Sequence, residues 1–146
     1  MSDPPGPVTS FSVDLLPDSD GVQITWRPPD NLTVGVLGYV ITYRVVGIGD
    51  CNSTYTTPTK TLPQLSDHVD SYLLTGLTTW LKYRITVAAL NIAGSGQTSS
   101  SDVIMPGSGT EEICFRLLLQ LFKSLCYYRS RIRVTSFAEL IQTVSQ

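Results

Sequence analysis

The stretch from Lys82 to Ala89 constrains the fold more than any other. Tyr83, Ile85, Val87 and Ala89 alternate with Lys82, Arg84, Thr86 and Ala88. A period of two puts one set on a buried face and the other toward solvent, as in a half-buried strand. The same pattern recurs upstream, where Val22, Ile24 and Trp26 alternate with Gln23, Thr25 and Arg27, and where Tyr39, Ile41, Tyr43 and Val45 form a third run. Phe11, Val13 and Leu15 begin the series after a proline-rich lead, Tyr72 and Leu74 precede a turn at Thr75-Gly76 and then Leu77, and Val103 with Met105 predict a short last strand. Turn-forming clusters separate these runs: Asp18-Ser19-Asp20-Gly21, Pro28-Pro29-Asp30-Asn31, Gly47-Ile48-Gly49-Asp50 and Asn91 to Gly96. Residues 51–65, Thr-rich and broken by Pro58 and Pro63, predict an edge strand with irregular flanks. Seven strands with regular turns between them predict an all-β, seven-stranded antiparallel sandwich of immunoglobulin-like form.

Composition marks where this pattern ends. All nine prolines, all eleven glycines and both tryptophans lie in residues 1–110, whereas the remainder concentrates Leu, Phe, Arg and Gln. Charge divides at the same place: five basic and nine acidic side chains precede residue 111, and five basic and three acidic follow it. The chain is therefore read as a leader over 1–6, a sandwich domain over 7–107, and a linker and apolar/basic tail over 108–146, helical or poorly ordered. Within the tail, residues 113–128 are mostly apolar, with Arg116, Gln120 and Lys123 on one helical face and Arg129, Arg131 and Arg133 following. Sixteen helical residues reach about 24 Å against a hydrocarbon core of about 30 Å, so no membrane span is expected. Three readings stay open for residues 113–133: contact with a membrane surface, packing on the sandwich or another chain, or sequence unrelated to the domain.

The search for chemistry yields little. The single histidine, His68, sits between Asp67 and Val69 in a polar stretch, with no nucleophile elbow to accompany it, and reads as a surface residue. Gly94-Ser95-Gly96 opens like a dinucleotide fingerprint, but its sixth position is Ser99 and no helix follows, so it reads as a hairpin loop. Cys51, Cys114 and Cys126 are too few and too far apart for a disulfide framework or a zinc site, and their redox state is left open. No catalytic residue, cofactor site, metal site or nucleic-acid site is expected, and the chain is read as no enzyme. Two sequons, Asn31-Leu32-Thr33 and Asn52-Ser53-Thr54, fall in expected loops and make Asn31 and Asn52 candidate N-glycosylation acceptors. The start lacks a secretory signal, so the chain is expected to be cytoplasmic if complete, and extracellular or at the cell surface if it belongs to a larger protein.

The ordered set of motifs resembles a fibronectin type III domain over about residues 4–107. Pro4-Pro5-Gly6-Pro7 with Phe11 and Val13 matches the first strand, Trp26 with Pro28-Pro29 the second, and Tyr39-Val40-Ile41-Thr42-Tyr43 the third. Leu74-Thr75-Gly76-Leu77, then Tyr83 to Ala89, Asn91, Gly94 and Gly96, matches the long signature that follows. Thr79 and Leu81 depart from it, standing where the family usually has Pro and often has Thr. The resemblance implies a structural core containing Trp26, Tyr39, Leu77, Tyr83 and Val87, with Trp26 filling the space between sheets and the Tyr83 hydroxyl bonded back to the turn before it. It also implies a protein-protein interaction or spacer module of an adhesion or receptor-type protein, the alternative being an intracellular structural module of a cytoskeletal or scaffold protein. The loops at 28–36 and 92–99 are the expected recognition loops; neither carries Arg-Gly-Asp, and no partner is identified.

Overall fold

The computed structural model describes residues 2–30, 34–49 and 55–107. Contacts divide the chain into a unit Met1–Ser108 and a unit Gly109–Gln146. The second unit lies wholly outside the described residues, as does the expected tail over 113–133. The first unit is a two-sheet antiparallel sandwich whose described residues contain strands and turns without a helix.

Among the described residues eight strands form: β1 (Thr9–Leu15), β2 (Val22–Arg27), β3 (Gly38–Ile48), β4 (Lys60–Thr61), β5 (Leu65–Ser66), β6 (Ser71–Leu74), β7 (Leu81–Asn91) and β8 (Gly94–Ile104). The three-stranded sheet has order β1-β2-β6, and the five-stranded sheet has order β4-β3-β7-β8, with β5 also pairing β3. The count exceeds seven because the expected edge strand over 51–65 is split. Lys60–Thr61 pairs with Thr42 and Tyr43, Leu65–Ser66 pairs with Gly38 and Tyr39, and Pro63, which has no amide hydrogen to donate, lies between. Gly38 tolerates this approach because a Cβ there would run into the Leu65 carbonyl.

Alternation decides which side chains meet. Val22, Ile24 and Trp26 face Tyr39, Ile41, Ile85, Val87 and Ala89 across the sheets, and all are buried in one cluster with Leu74, Leu77, Tyr83, Val103 and Met105. Trp26 meets Tyr39 edge-on, ring centres 5.4 Å apart, the geometry that the ring quadrupoles favour. Its indole N–H is buried and has no acceptor among the described residues. A ring large enough to fill the inter-sheet space is surrounded by apolar side chains, and its volume decides the site.

The largest departure is at the β7–β8 hairpin. The expected loop at 92–99 and short last strand are corrected: only Ile92 and Ala93 form the turn, and β8 runs the full eleven residues from Gly94. Gly is depleted in strands and Ser is not favoured there, but pairing with an eleven-residue central neighbour overrides this. Asn91 shapes the turn, its Oδ1 accepting from the Ala93 amide at 2.8 Å and its Nδ2 donating to the Asp3 carbonyl at 2.8 Å. The expected leader is thus tied to the sandwich. Gln97 N donates to Pro5 O, and Gly96 allows the crossing, since a Cβ there would strike that carbonyl.

Candidate functional site

The residues expected to form the core are all interior. Trp26, Tyr39, Leu77, Tyr83 and Val87 are each exposed by 6% or less. The Tyr83 ring is buried while its hydroxyl accepts from the Thr78 amide at 3.0 Å, tying β7 to the turn that precedes it. Burial first, and then the charges of Asp67 and Asp70, push the Tyr39 hydroxyl above its ordinary range. These groups hold the sandwich together and present no reactive atom to solvent. Among the described residues no group of His, Cys, Asp and Glu is arranged to hold a metal ion. His68 lies on the surface with 91% of its side chain exposed, 3.6 Å from Asp67. Asn31, Asn52, Cys51, Cys114 and Cys126 fall outside the described residues, as does the centre of the loop at 28–36.

Sequence reasoning missed Trp80. It adopts φ 68°, a left-handed conformation rare for a bulky side chain. Its amide donates to Met105 O at 2.8 Å and its carbonyl accepts from Gly49 N at 2.7 Å. Its ring lies against Gly107, where any Cβ would collide with it. Trp80 therefore joins three segments at one end of the sandwich: the turn before β7, the end of β3 and the exit of β8. The signal was its position between Thr79 and Leu81, the two departures from the resembled pattern.

The outward face of the five-stranded sheet is polar. Cross-strand register lays it out in rows. Thr61, Thr42, Thr86 and Ser100 form one, and Arg44, Arg84 and Asp102 another. Thr42 and Thr86 share a hydroxyl hydrogen bond. Arg84 holds Asp102 through two bonds, Nε to Oδ1 at 2.8 Å and Nη2 to Oδ2 at 2.9 Å. That bonding, chiefly, holds the Asp102 carboxyl below its usual range against partial burial, and the charges of Arg84, Lys82 and Arg44 add to it. On the opposite face, at the sheet's edge, Lys60 sits over the Tyr43 ring at 5.8 Å.

Charge is segregated across the sandwich. The outward positions of the five-stranded sheet carry Arg44, Lys82 and Arg84 against Asp102, whereas elsewhere among the described residues Arg27 and Lys60 stand against Asp3, Asp14, Asp18, Asp20, Asp30, Asp67 and Asp70. One side is a basic, hydroxyl-lined plane and the rest is acidic. Two exposed apolar side chains, Leu37 and Ile92, stand near each other in sequence register at the hairpin end, where Leu37 N donates to Leu90 O.

Comparison with known proteins agrees with this architecture. The family model of the fibronectin type III domain matches residues 3–104. Mouse protein sidekick-1 is 32% identical over 101 residues and mouse protein sidekick-2 33% over 101 residues, each alignment covering 69% of this chain and 4% of the relative. The chain thus spans 4% of the length of these curated relatives. Among solved structures, the FN5 domain of Drosophila Lar has a TM-score of 0.55 at 26% identity, covering 71% of this chain and 99% of that one. The fibronectin type III domain of human collagen alpha-1(XX) has a TM-score of 0.54 at 24% identity, covering 75% of this chain and 93% of that domain. With its two sheets, its buried Trp26 and its Tyr83 corner in place, the chain belongs to the fibronectin type III domain family.

Proposed function

We propose that this chain supplies a non-catalytic protein-protein interaction or spacer module to an extracellular adhesion or receptor-type protein. The observation that carries the reading is the outward face of the five-stranded sheet, a plane of Thr and Ser hydroxyls crossed by Arg44 and Arg84 and set against an otherwise acidic domain. Family membership and likeness to the sidekick proteins support it. The mechanism is surface complementarity: the rigid interior fixes the distance between the ends of the module, and the polar plane is left free for a partner. The sequons at Asn31 and Asn52 agree with passage through a secretory route.

Surface labelling of cells that make the endogenous product tests the reading, combined with glycosidase treatment of the recovered protein. The expected result is a surface-labelled product whose mobility shifts on deglycosylation and no longer shifts when Asn31 and Asn52 are replaced by Gln. A product confined to the cytosol, with neither sequon occupied, sinks it in favour of an intracellular structural module.

A further inference from the structure

The outward face of the five-stranded sheet changes character along its strands. At one end stand Lys82, Arg84 and Arg44 with Asp102, and the middle carries the hydroxyls of Thr42, Thr86 and Ser100. Toward the β7–β8 hairpin Val40 lies opposite Ala88, and Leu90 follows on the same face of β7. None of these three belongs to the inner apolar cluster or packs against it, in keeping with alternation. Leu37, whose amide donates to Leu90 O, and Ile92 in the hairpin turn adjoin them, 55% and 70% exposed.

The cationic end carries more charge than it satisfies. Arg84 is engaged, giving two hydrogen bonds to Asp102. Arg44 lies directly opposite Arg84, a like-charge pairing that costs the chain stability, and Lys82 stands two positions from Arg84 on the same strand. Neither the Arg44 nor the Lys82 side chain has a hydrogen-bond or ion-pair partner among the described residues. Both nevertheless act through their charge on the Asp102 carboxyl, so the three cations converge on one small region. A second carboxylate arriving between Arg44 and Lys82 relieves the repulsion that the sheet otherwise retains.

We propose that this face binds an extended segment of a partner protein, which presents carboxylates to Arg44 and Lys82 and apolar side chains to Val40, Leu90 and Ile92. Two features choose the occupant. Unspent positive charge on an otherwise acidic domain selects an anionic partner. The apolar end selects a polypeptide over a sulfated sugar chain, which has no apolar side chains to bury there. Arg84 and Ala88, four positions apart on β7, mark ends of the face separated by about 13 Å at the rise of a strand, and an extended segment spans that distance with as many residues of its own. Asp102 competes for Arg84 as a carboxylate built into the chain, which keeps the association weak. This inference rests on the interaction-module reading and deepens it by naming the chemistry of the partner.

NMR titration of the full, isotope-labelled chain with a short synthetic peptide tests it, the peptide carrying two Asp and, further along, two Leu on alternate positions. The expected result is a set of shift changes confined to the outward residues of β3, β7 and β8 and to Ile92, weakening as salt is added. Arg44→Thr and Lys82→Ser each reduce the affinity by about fivefold without loss of stability, since neither side chain has a partner to lose. Asp102→Asn releases Arg84 and raises the affinity by about threefold. A control peptide with Ser in place of both Leu binds about tenfold more weakly. Absence of binding at millimolar peptide overturns the proposal, as does binding that Arg44→Thr leaves unchanged. A sulfated oligosaccharide that binds the chain as tightly as the peptide overturns it too, and assigns the cations to a sugar partner. Surface labelling and sequon occupancy are read separately in cells, so failure here leaves the surface-module reading standing.

Discussion

The two faces of the five-stranded sheet are made by the same strands and follow opposite rules. On the inner face of β3 and β7 stand Tyr39, Ile41, Val45, Tyr83, Ile85, Val87 and Ala89, all buried. On the outer face, one residue away along the chain, stand Thr42, Arg44, Arg84 and Thr86. The inner face carries the stability, because each apolar side chain removed from water contributes about 1.5–3 kcal/mol. The outer face contributes little and carries charge and hydroxyls. Stability and the proposed recognition are thus divided by a single period of two.

The largest test of that division is Trp26→Ala, which removes the ring filling the space between the sheets. It should lower unfolding stability by about 3–5 kcal/mol, read from denaturant melts, which is most of the margin of a domain this size. A loss within the range of surface substitutions would break the comparison. Next is Tyr83→Phe, which keeps the buried ring and deletes only the hydroxyl that accepts from Thr78. The cost should be about 1 kcal/mol, visible as a fall of a few degrees in Tm.

Outer-face changes should be smaller. Arg84 and Asp102 form a bidentate pair, but their side chains are 44% and 31% exposed, so solvent screens the attraction. Asp102→Asn should cost only about 0.5 kcal/mol. Its signature is the pH profile. The Asp102 carboxyl is held low in the folded state, chiefly by the hydrogen bond from Arg84, so the pair's contribution is present above the ordinary carboxylate range. It is lost as pH falls through the lowered value, and the Asn variant should lack that part of the acid limb. Smallest of all is Arg44→Thr. Arg44 lies directly opposite Arg84, so relief of like-charge opposition should raise stability by about 0.3 kcal/mol. Arg44 also helps to lower Asp102, so the Asp102 titration followed by NMR should move upward in this variant.

The interior was legible in the sequence because alternation is a local property. Tyr83 to Ala89 announce which side is buried without reference to any neighbour. Trp26 and the Tyr83 hydroxyl were legible for another reason, the resemblance to a known family. The candidate surface was only half visible: alternation names its residues, but which strands lie side by side is not a local fact. That Arg84 meets Asp102, eighteen positions away, and that Thr42 meets Thr86 depend on strand order.

By itself the sequence determined the sandwich class, the inward and outward sets on each strand and the extent of the apolar interior, since period, turn chemistry and burial act over a few residues. Tertiary structure alone decided that Ser- and Gly-rich residues 94–100 become strand, that the leader is tied to β8, and that Trp80 adopts its left-handed turn. In each of these, partners distant in sequence supply the hydrogen bonds, and pairing across the fold outweighs a local preference worth no more than about 1 kcal/mol.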